Sequence, residues 1–291
     1  MKSDEVISKT NLDLISELTM RGNDQRFHAI TKFSDSDSFT EEMRRDGVSV
    51  LRNIFKKGEV EKAKAALDEI YKRQCKDVLN NDFSLEDIMD ENVVRMPFVE
   101  NNIFLTYILN RRIVNKLKFL LGEQFILMLQ NAPINRPTNA HQGFSWHRDL
   151  VWQHYTSNRP LAITVTVALD DYTTTNGGMD VLLGSHLFSE FPSKSYSSNK
   201  SAKILVKAGD VIFFDSMLYH RAGINTSTES RYLLVQVYCL PHIRQQICIP
   251  SMISQTELNL AREDLAILGV GYETPKSVIE WRKKRVTRIK L

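Results

Sequence analysis

A series of short apolar segments between residues 124 and 241 constrains the fold of this chain more than any other feature. Turn signals separate these segments, namely Asn176-Gly177-Gly178, Gly184-Ser185 and Gly209-Asp210, and no helical periodicity intervenes. Strands that follow one another without helices between them favour an antiparallel sandwich or barrel. The predicted strands of this region cover 125–129, 161–169, 204–206, 211–214 and 232–238.

Helical patterns flank this β-rich region on both sides. Residues 1–36 are expected to be a polar lead-in, and 37–291 a single domain. Its β core would cover about 124–241, between helical flanks at 37–123 and 242–291. Apolar spacing and stop signals predict helices over 38–46, 58–78, 101–121, 253–267 and 275–288, with a further strand at 48–51.

Composition and charge exclude several classes of protein. The 38 Lys and Arg against 35 Asp and Glu give a net charge of +3, and no basic stripe interleaves with aromatics, so no nucleic-acid partner is expected. The cysteines Cys75, Cys239 and Cys248 lack the spacing of a disulfide framework or zinc knuckle. No apolar run approaches the ~18 residues of a membrane span, and the first residues lack the apolar part of a secretory signal. We therefore expect a cytoplasmic protein without a membrane partner.

Four residues have the order and spacing of a metal and carboxylate site. His147 and Asp149 are two positions apart, so on a strand both side chains face the same side. His220 follows the apolar segment 211–214 and could supply a third ligand. Two imidazoles and one carboxylate suit Fe(II) and leave three positions open for an oxidant and a bidentate co-substrate. Arg231 begins the next strand, and its guanidinium fork suits a carboxylate.

The stretch from about 124 to 241 resembles the phytanoyl-CoA dioxygenase family of non-haem iron, 2-oxoglutarate-dependent oxygenases, near its ectoine-hydroxylase-like bacterial branch. The segment 46–55 also resembles the opening strand of that family, whereas 1–36 and 242–291 match nothing in it. Leu183 stands where the family commonly has proline. The motifs that carry the resemblance are Phe-Ser-Trp-His-Arg-Asp at 144–149, Ala-Leu-Asp-Asp at 168–171, Asn-Gly-Gly at 176–178, Leu-Gly-Ser-His at 183–186, Ala-Gly-Asp-Val at 208–211, and His-Arg-Ala-Gly-Ile-Asn at 220–225 with Arg231.

The resemblance implies an α+β, mainly β fold: a double-stranded β-helix, or cupin-like jelly roll, flanked by N- and C-terminal helices. It implies that His147, Asp149 and His220 are catalytic residues that bind Fe(II). Arg231 would pair with the distal carboxylate of the co-substrate 2-oxoglutarate.

Further expectations about the site follow from the same resemblance. Gln130 and Asn135 occupy places similar to those of a Gln and an Asn that help to hold the co-substrate in the ectoine-hydroxylase branch. The implied enzyme uses O2 and 2-oxoglutarate to hydroxylate, or otherwise oxidise, a C–H bond of a small metabolite in a natural-product or similar biosynthetic pathway. Position in the chain, and not the resemblance, suggests as substrate contacts Trp152 and Tyr155, which follow Asp149, and Arg95 in the unmatched N-terminal region, although the two aromatics serve equally well as rim or core residues.

Two other interpretations remain open at this point. The first is a metal-binding, cupin-like sensor or scaffold without oxygenase activity, which has no need of a carboxylate clamp such as Arg231. The second is a nucleic-acid demethylase of the AlkB type, which shares iron and co-substrate but requires a basic nucleotide-recognition lid. We find no such lid in the sequence.

Overall fold

Nine strands form two antiparallel sheets in the part of the chain that the computed structural model describes, which is residues 38–81, 83–137, 145–253 and 258–289. The chain divides into two units, Met1–Glu41 and Glu42–Leu291, and both sheets belong to the second. A single domain over 37–291 stays a prediction. The strands are β1 Val48–Leu51, β2 Val93–Arg95, β3 Ile126–Asn135, β4 Ala162–Ala168, β5 Met179–Leu182, β6 Ser201–Ile204, β7 Val211–Asp215, β8 His220–Ala222 and β9 Arg231–Cys239.

The larger sheet has six strands in the order β1-β7-β4-β9-β3-β2, and the smaller has three in the order β6-β5-β8. A buried apolar cluster joins the two sheets, with Ile212 and Phe214 from β7 packed against Met179 and Val181 from β5. Removal of these side chains from water stabilises the facing arrangement, at roughly 25 cal/mol per Å² of apolar surface. Two facing antiparallel sheets are the jelly roll that the sequence predicts.

The described helices lie before, between and after the strands. Helix α5 packs on β4, and every residue of β4 is buried, which explains why 162–168 reads as continuously apolar apart from two threonines. No described helix is long and apolar enough to span a bilayer. The helices are α1 Ser38–Arg45, α2 Lys57–Leu79, α3 Pro97–Glu100, α4 Leu105–Ile108, α5 Arg111–Leu121, α6 Lys194–Lys200, α7 Ile249–Ile253, α8 Arg262–Ile267 and α9 Val278–Ile289, with 3-10 turns at Asn102–Phe104 and Ser185–Leu187.

Several predicted elements differ from the structure in their bounds. The helix predicted over 101–121 is interrupted before α5, because the Asn110 side chain accepts hydrogen bonds from the backbone N–H groups of Arg112 and Ile113 and starts a new helix. The helix predicted over 253–267 is replaced by the shorter α7 and α8, and residues 254–257 lie outside the described chain. The short strands β2, β5 and β8 were not predicted, since three or four residues show too little alternation to be recognised.

Candidate active site

His147, Asp149 and His220 converge at one point between the sheets. One ligand atom from each residue lies within 4.8 Å of the other two. The Oδ1 atom of Asp149 is 4.0 Å from Nε2 of His147 and 3.6 Å from Nε2 of His220. Two imidazole nitrogens and one carboxylate oxygen make a donor set that fits Fe(II) and leaves three coordination positions for other ligands. These three residues could therefore hold a metal ion.

Backbone pairing brings these distant residues together. His147 and His220 form an isolated antiparallel bridge, with N–H···O distances of 3.0 and 3.1 Å in the two directions. The backbone N–H of Asp149 donates to the carbonyl of Ser216 at 3.0 Å. The segment around His147 thus continues the smaller sheet beside β8. This pairing sets the direction in which the side chains of His147 and Asp149 point.

The second ring nitrogen of each histidine contacts a backbone carbonyl. Nδ1 of His147 lies 2.8 Å from the Ser145 carbonyl, and Nδ1 of His220 lies 3.0 Å from the Leu218 carbonyl. A proton on each Nδ1 satisfies these contacts and leaves Nε2 with a lone pair for a metal. Burial lowers the pKa of His220, which favours the neutral ring that metal binding requires.

Two buried hydroxyl groups fix the orientation of the Asp149 carboxylate. Thr164 on β4 donates from Oγ1 to Oδ2 of Asp149 at 2.5 Å, and the same Oγ1 lies 2.9 Å from Oγ of Ser216. Both hydroxyl-bearing residues are completely buried. Since Oδ2 is engaged in this way, Oδ1 is the carboxylate oxygen that is available to a metal.

Arg148, between His147 and Asp149 in sequence, points away from both and is buried. Its guanidinium lies 4.0 Å from the centre of the Tyr219 ring. The guanidinium donates to four backbone carbonyls, those of Met217, Ser185, Phe188 and Ser189. These contacts tie the His147–Asp149 segment to the turn after β5 and to the connection between β7 and β8.

Arg231 is buried, with only 2% of its surface exposed, and it lines the same cavity as His147, Asp149 and His220. Its Nε donates to the carbonyl of Asn176 at 3.1 Å, and its guanidinium lies 4.2 Å from the centre of the Tyr172 ring. Neither Nη1 of Arg231 nor the hydroxyl of Tyr172 has a hydrogen-bond partner among the described residues. Buried polar atoms are normally paired, so these two atoms fit a carboxylate from a bound molecule.

Asn135 lies beside Arg231, because the two are directly opposite in the β3–β9 register. Its Nδ2 donates to the carbonyl of Gly223 at 3.0 Å, whereas its Oδ1 is buried without a partner in the described chain. The turn at Gly177 has a φ of +76°, and a Cβ there would lie 2.2 Å from the Gly223 oxygen. A glycine is therefore required at this close approach.

Gln130 has a different environment from the one that its predicted role requires. Its Oε1 accepts from the backbone N–H of Phe98 at 3.2 Å, and its Nε2 donates to the Phe104 carbonyl and to Oε1 of Gln236, both at 3.3 Å. Gln130 is fully buried on the helical side of β3 and does not line the cavity. The role predicted for Gln130 in co-substrate binding therefore finds no support in its position.

The three converging residues and Arg231 line a single cavity of about 460 Å³. Arg95 also lines it, as predicted for a substrate contact, although its guanidinium is paired with Asp90. Trp152 and Tyr155 are 89% and 58% exposed and do not line it. Their predicted substrate contacts have no counterpart in the described cavity wall.

Several lining or supporting residues were missed at the level of sequence, including Arg148, Tyr172 and Asn131. Thr164 and Thr166 were missed too, although a signal for them exists. They are two positions apart on the otherwise apolar β4, so both face the cavity side of the strand, and Thr166 lines the cavity. Paired threonines in a buried strand indicate a polar cavity wall.

Solved structures support the jelly-roll fold. A non-haem monooxygenase, ThoJ in complex with nickel, aligns with a TM-score of 0.55 and 22% identity over 72% of this chain and 80% of the other. HygX of Streptomyces hygroscopicus, solved with nickel and 2-oxoglutarate, aligns with a TM-score of 0.53 and 16% identity over 71% of this chain and 87% of the other.

Sequence comparison finds relatives that include a dioxygenase and an uncharacterised protein. An ectoine dioxygenase of Bordetella bronchiseptica is 27% identical over 244 residues, which cover 71% of this chain and 77% of that protein. An uncharacterised protein of Mycobacterium tuberculosis is 27% identical over 162 residues, 53% of this chain, and the chain spans only 58% of the length of that relative. Residues 43–233 match the family model described as phytanoyl-CoA dioxygenase (PhyH). Because that match covers more than half of the sequence, the chain belongs to the phytanoyl-CoA dioxygenase family.

Proposed function

We propose that the protein is an Fe(II)- and 2-oxoglutarate-dependent dioxygenase that hydroxylates, or otherwise oxidises, a C–H bond of a small metabolite in a biosynthetic pathway. One observation carries the proposal. The facial set His147, Asp149 and His220 shares a cavity with Arg231, whose buried Nη1 has no partner in the described chain. A metal site and a carboxylate site in one cavity match the needs of a 2-oxoglutarate-dependent oxygenase.

Each group in the cavity has a distinct part in this function. His147 and His220 would bind iron through Nε2, and Asp149 through Oδ1, since Thr164 engages its other oxygen. Bound iron, 2-oxoglutarate and O2 supply the oxidising power, with succinate and CO2 as the other products. The protein itself holds the ligands in place and limits the access of water to the reacting groups.

Arg231 and Tyr172, which both line the cavity, would receive the distal carboxylate of 2-oxoglutarate. The Nη1 donor of Arg231 and the Tyr172 hydroxyl are both unpaired within the described residues, and they lie together because the guanidinium stacks on the ring. Burial raises the pKa of Tyr172, which keeps its hydroxyl protonated and able to donate. A charge-assisted pair in this buried place would fix the co-substrate in one orientation.

The relatives support both the cofactors and the small-molecule substrate. One is a Penicillium thymicola protein named as an iron/alpha-ketoglutarate-dependent dioxygenase, 26% identical over 135 residues. A second HygX structure contains nickel, 2-oxoglutarate and hygromycin B. The alternative function, a non-catalytic metal-binding sensor or scaffold, leaves the buried donors of Arg231 and Tyr172 without a purpose.

The test is anaerobic loading of the purified protein with Fe(II) and 2-oxoglutarate, followed by O2 and a panel of metabolites, with succinate as the readout. We expect metal-dependent succinate formation that a substrate stimulates. His147→Ala should abolish it, whereas His154→Ala, at an exposed histidine that does not line the cavity, should not. A wild-type protein that binds Fe(II) but forms no succinate and does not bind 2-oxoglutarate would favour the sensor or scaffold.

A further inference from the structure

The exposed rim of the cavity, which includes Glu91 and Arg95 and is called the mouth here, carries an arginine whose three guanidinium nitrogens each contact a protein group. Nε and Nη2 of Arg95 both contact the carboxylate of Asp90, the first at 3.0 Å. With the Asn131 amide oriented so that both of its ends are paired, its oxygen accepts from Nη1 of Arg95 at 2.7 Å. Its nitrogen then donates to the Gln130 carbonyl at 2.9 Å. Asp90 therefore balances the positive charge of Arg95, and each of the three guanidinium nitrogens already has a protein partner.

The position of Arg95 is fixed from its backbone as well. Gln74 on α2 accepts from the Arg95 N–H at 2.9 Å and donates to the Arg95 carbonyl at 2.7 Å. Asp90, only 15% exposed in its side chain, lies in the connection before β2. The ion pair is therefore built into the wall and does not depend on two mobile surface side chains.

Among the residues that the structure describes, the charged side chains at the mouth sum to a negative charge. Asp90 and Glu91 both line the cavity, and Arg95 neutralises only one of them. Arg221 also lines it, but Arg221 alternates with His220 on β8 and so extends to the opposite face of the strand. There its Nε contacts Asp180 at 3.2 Å, and its guanidinium lies 4.5 Å from the centre of the Trp146 ring.

The walls between this mouth and the three converging residues are mostly apolar, with Asn131, Thr166 and Gln246 as their polar lining residues. Their apolar part comes from β3, from β9 and from the segments next to Asp90 and Asp149. Arg231 also lines the cavity, but the carboxylate of the proposed co-substrate would pair with it. The apolar lining residues that these elements contribute include Val93, Met128, Leu129, Val151, Val235 and Val237.

We propose that the substrate has an apolar body and carries no negative charge, so that acyl-CoA thioesters, phosphate esters and carboxylates are poor substrates. This inference rests on the proposed function for the location of the reacting group. An apolar body gains from burial against the valine, leucine and methionine walls. An anion at the mouth would meet Glu91 and an Arg95 whose charge Asp90 already balances, so the loss of its hydration would be only weakly compensated.

The test compares two probes with the same chain, 1-decanol and decyl phosphate, by equilibrium dialysis below their aggregation limits. The protein is loaded anaerobically with Fe(II) and 2-oxoglutarate, and 2-oxoglutarate binding is measured first. We expect decanol to bind and decyl phosphate to bind about tenfold more weakly or worse. Val235→Phe, which adds bulk to the half-buried wall of β9, should weaken decanol binding several-fold and so locate the probe in the cavity.

Asp90→Asn tests the cause of the discrimination. It releases the Arg95 guanidinium, so decyl phosphate should bind about tenfold more tightly while decanol is unchanged. Asp87→Asn is the matched control, since Asp87 lies in the same connection but bonds to Ser84 and does not line the cavity.

Three results would overturn the inference: decyl phosphate binding as tightly as decanol to the wild type, no binding of decanol, or no gain of anion binding in Asp90→Asn. A failure of 2-oxoglutarate to bind is a separate result, and it would count against the proposed function.

Discussion

The hydroxyl of Thr164 donates a 2.5 Å hydrogen bond to one oxygen of Asp149, while the other oxygen of that carboxylate lies 3.6 Å from Nε2 of His220. The two oxygens thus have separate surroundings. Oδ2 contacts Thr164 in the larger sheet, whereas Oδ1 faces the Nε2 atoms of His147 and His220. Thr164 in turn contacts the hydroxyl of Ser216, so the carboxylate is held by a short chain of buried hydroxyl groups. This arrangement positions Asp149 before any metal arrives.

Thr164→Val should weaken metal binding by about 10–100-fold, because it removes this hydrogen bond while keeping the shape of the side chain. The affinity can be measured by competition with a chelator of known strength. Thr164→Ser keeps the hydroxyl and should restore most of the affinity. Thr166→Val, on the same strand but without a hydrogen bond to Asp149, is the control. Wild-type metal affinity in Thr164→Val would remove Thr164 from any positioning role.

Arg231→Lys should raise the apparent Kd for 2-oxoglutarate by about tenfold or more, with metal affinity unchanged. Lysine keeps the positive charge but loses the planar fork that presents Nη1 beside the Tyr172 hydroxyl. Anaerobic calorimetry on the Fe(II)-loaded protein measures the change. Arg136→Lys provides a control, since the Arg136 side chain bonds to Asn92 and does not line the cavity. An unchanged Kd in Arg231→Lys would assign the co-substrate carboxylate to another group.

Arg148→Met should lower the free energy of unfolding by about 2–4 kcal/mol, because four carbonyls lose a buried, charged donor at once. Urea unfolding followed by circular dichroism measures the loss. Arg73→Met should cost about 1 kcal/mol or less, since Arg73 and its partner Glu100 form a partly exposed pair. Equal effects of the two changes would show that the Arg148 contacts add nothing beyond an exposed ion pair.

Asp215 should make the protein less stable as the pH rises from about 4 to about 6. Burial raises the pKa of this carboxyl to about 6, although the Met217 N–H and the nearby Arg148 act in the opposite direction. The folded protein therefore holds the Asp215 proton more tightly than the unfolded chain, and this contribution to stability is lost above the folded-state pKa.

Asp215→Asn removes the ionisation at this position. Relative to wild type, it should gain on the order of 2–3 kcal/mol of stability between pH 4 and pH 7. Urea unfolding of both proteins across this range gives the difference directly. A difference that does not change with pH would mean that Asp215 does not titrate in this interval.

The sequence predicts the long strands and the converging residues well, for physical reasons. The strands β4 and β9 contain seven and nine residues, which is enough for composition and turn signals to be recognised. The spacing of His147 and Asp149 and the position of His220 after an apolar strand indicate a shared site without any knowledge of the pairing. The bridge that unites them lies between segments too short to be predicted.

Gln130 and Asn135 show where the prediction from resemblance is weakest. Both residues lie on β3, and five positions separate them, so a regular strand directs them to opposite faces. Asn135 is beside Arg231, whereas Gln130 contacts the helical layer through Phe98 and Phe104. A single odd spacing thus separates a residue beside Arg231 from one that packs against the helical layer. The pairing of Arg95 with Asp90 depends on the three-dimensional path of a connection and has no comparable signal.

The backbone bridge between His147 and His220 has a consequence for the way in which a metal would be acquired. The two histidines are 73 positions apart, and closing a flexible loop of that length costs on the order of 4 kcal/mol of chain entropy. Here the ladder of the smaller sheet closes the loop through main-chain hydrogen bonds, so the ion itself does not have to gather its ligands. Uptake of a metal would thereby be separated from folding, because the main chain around the two histidines is already paired before an ion binds.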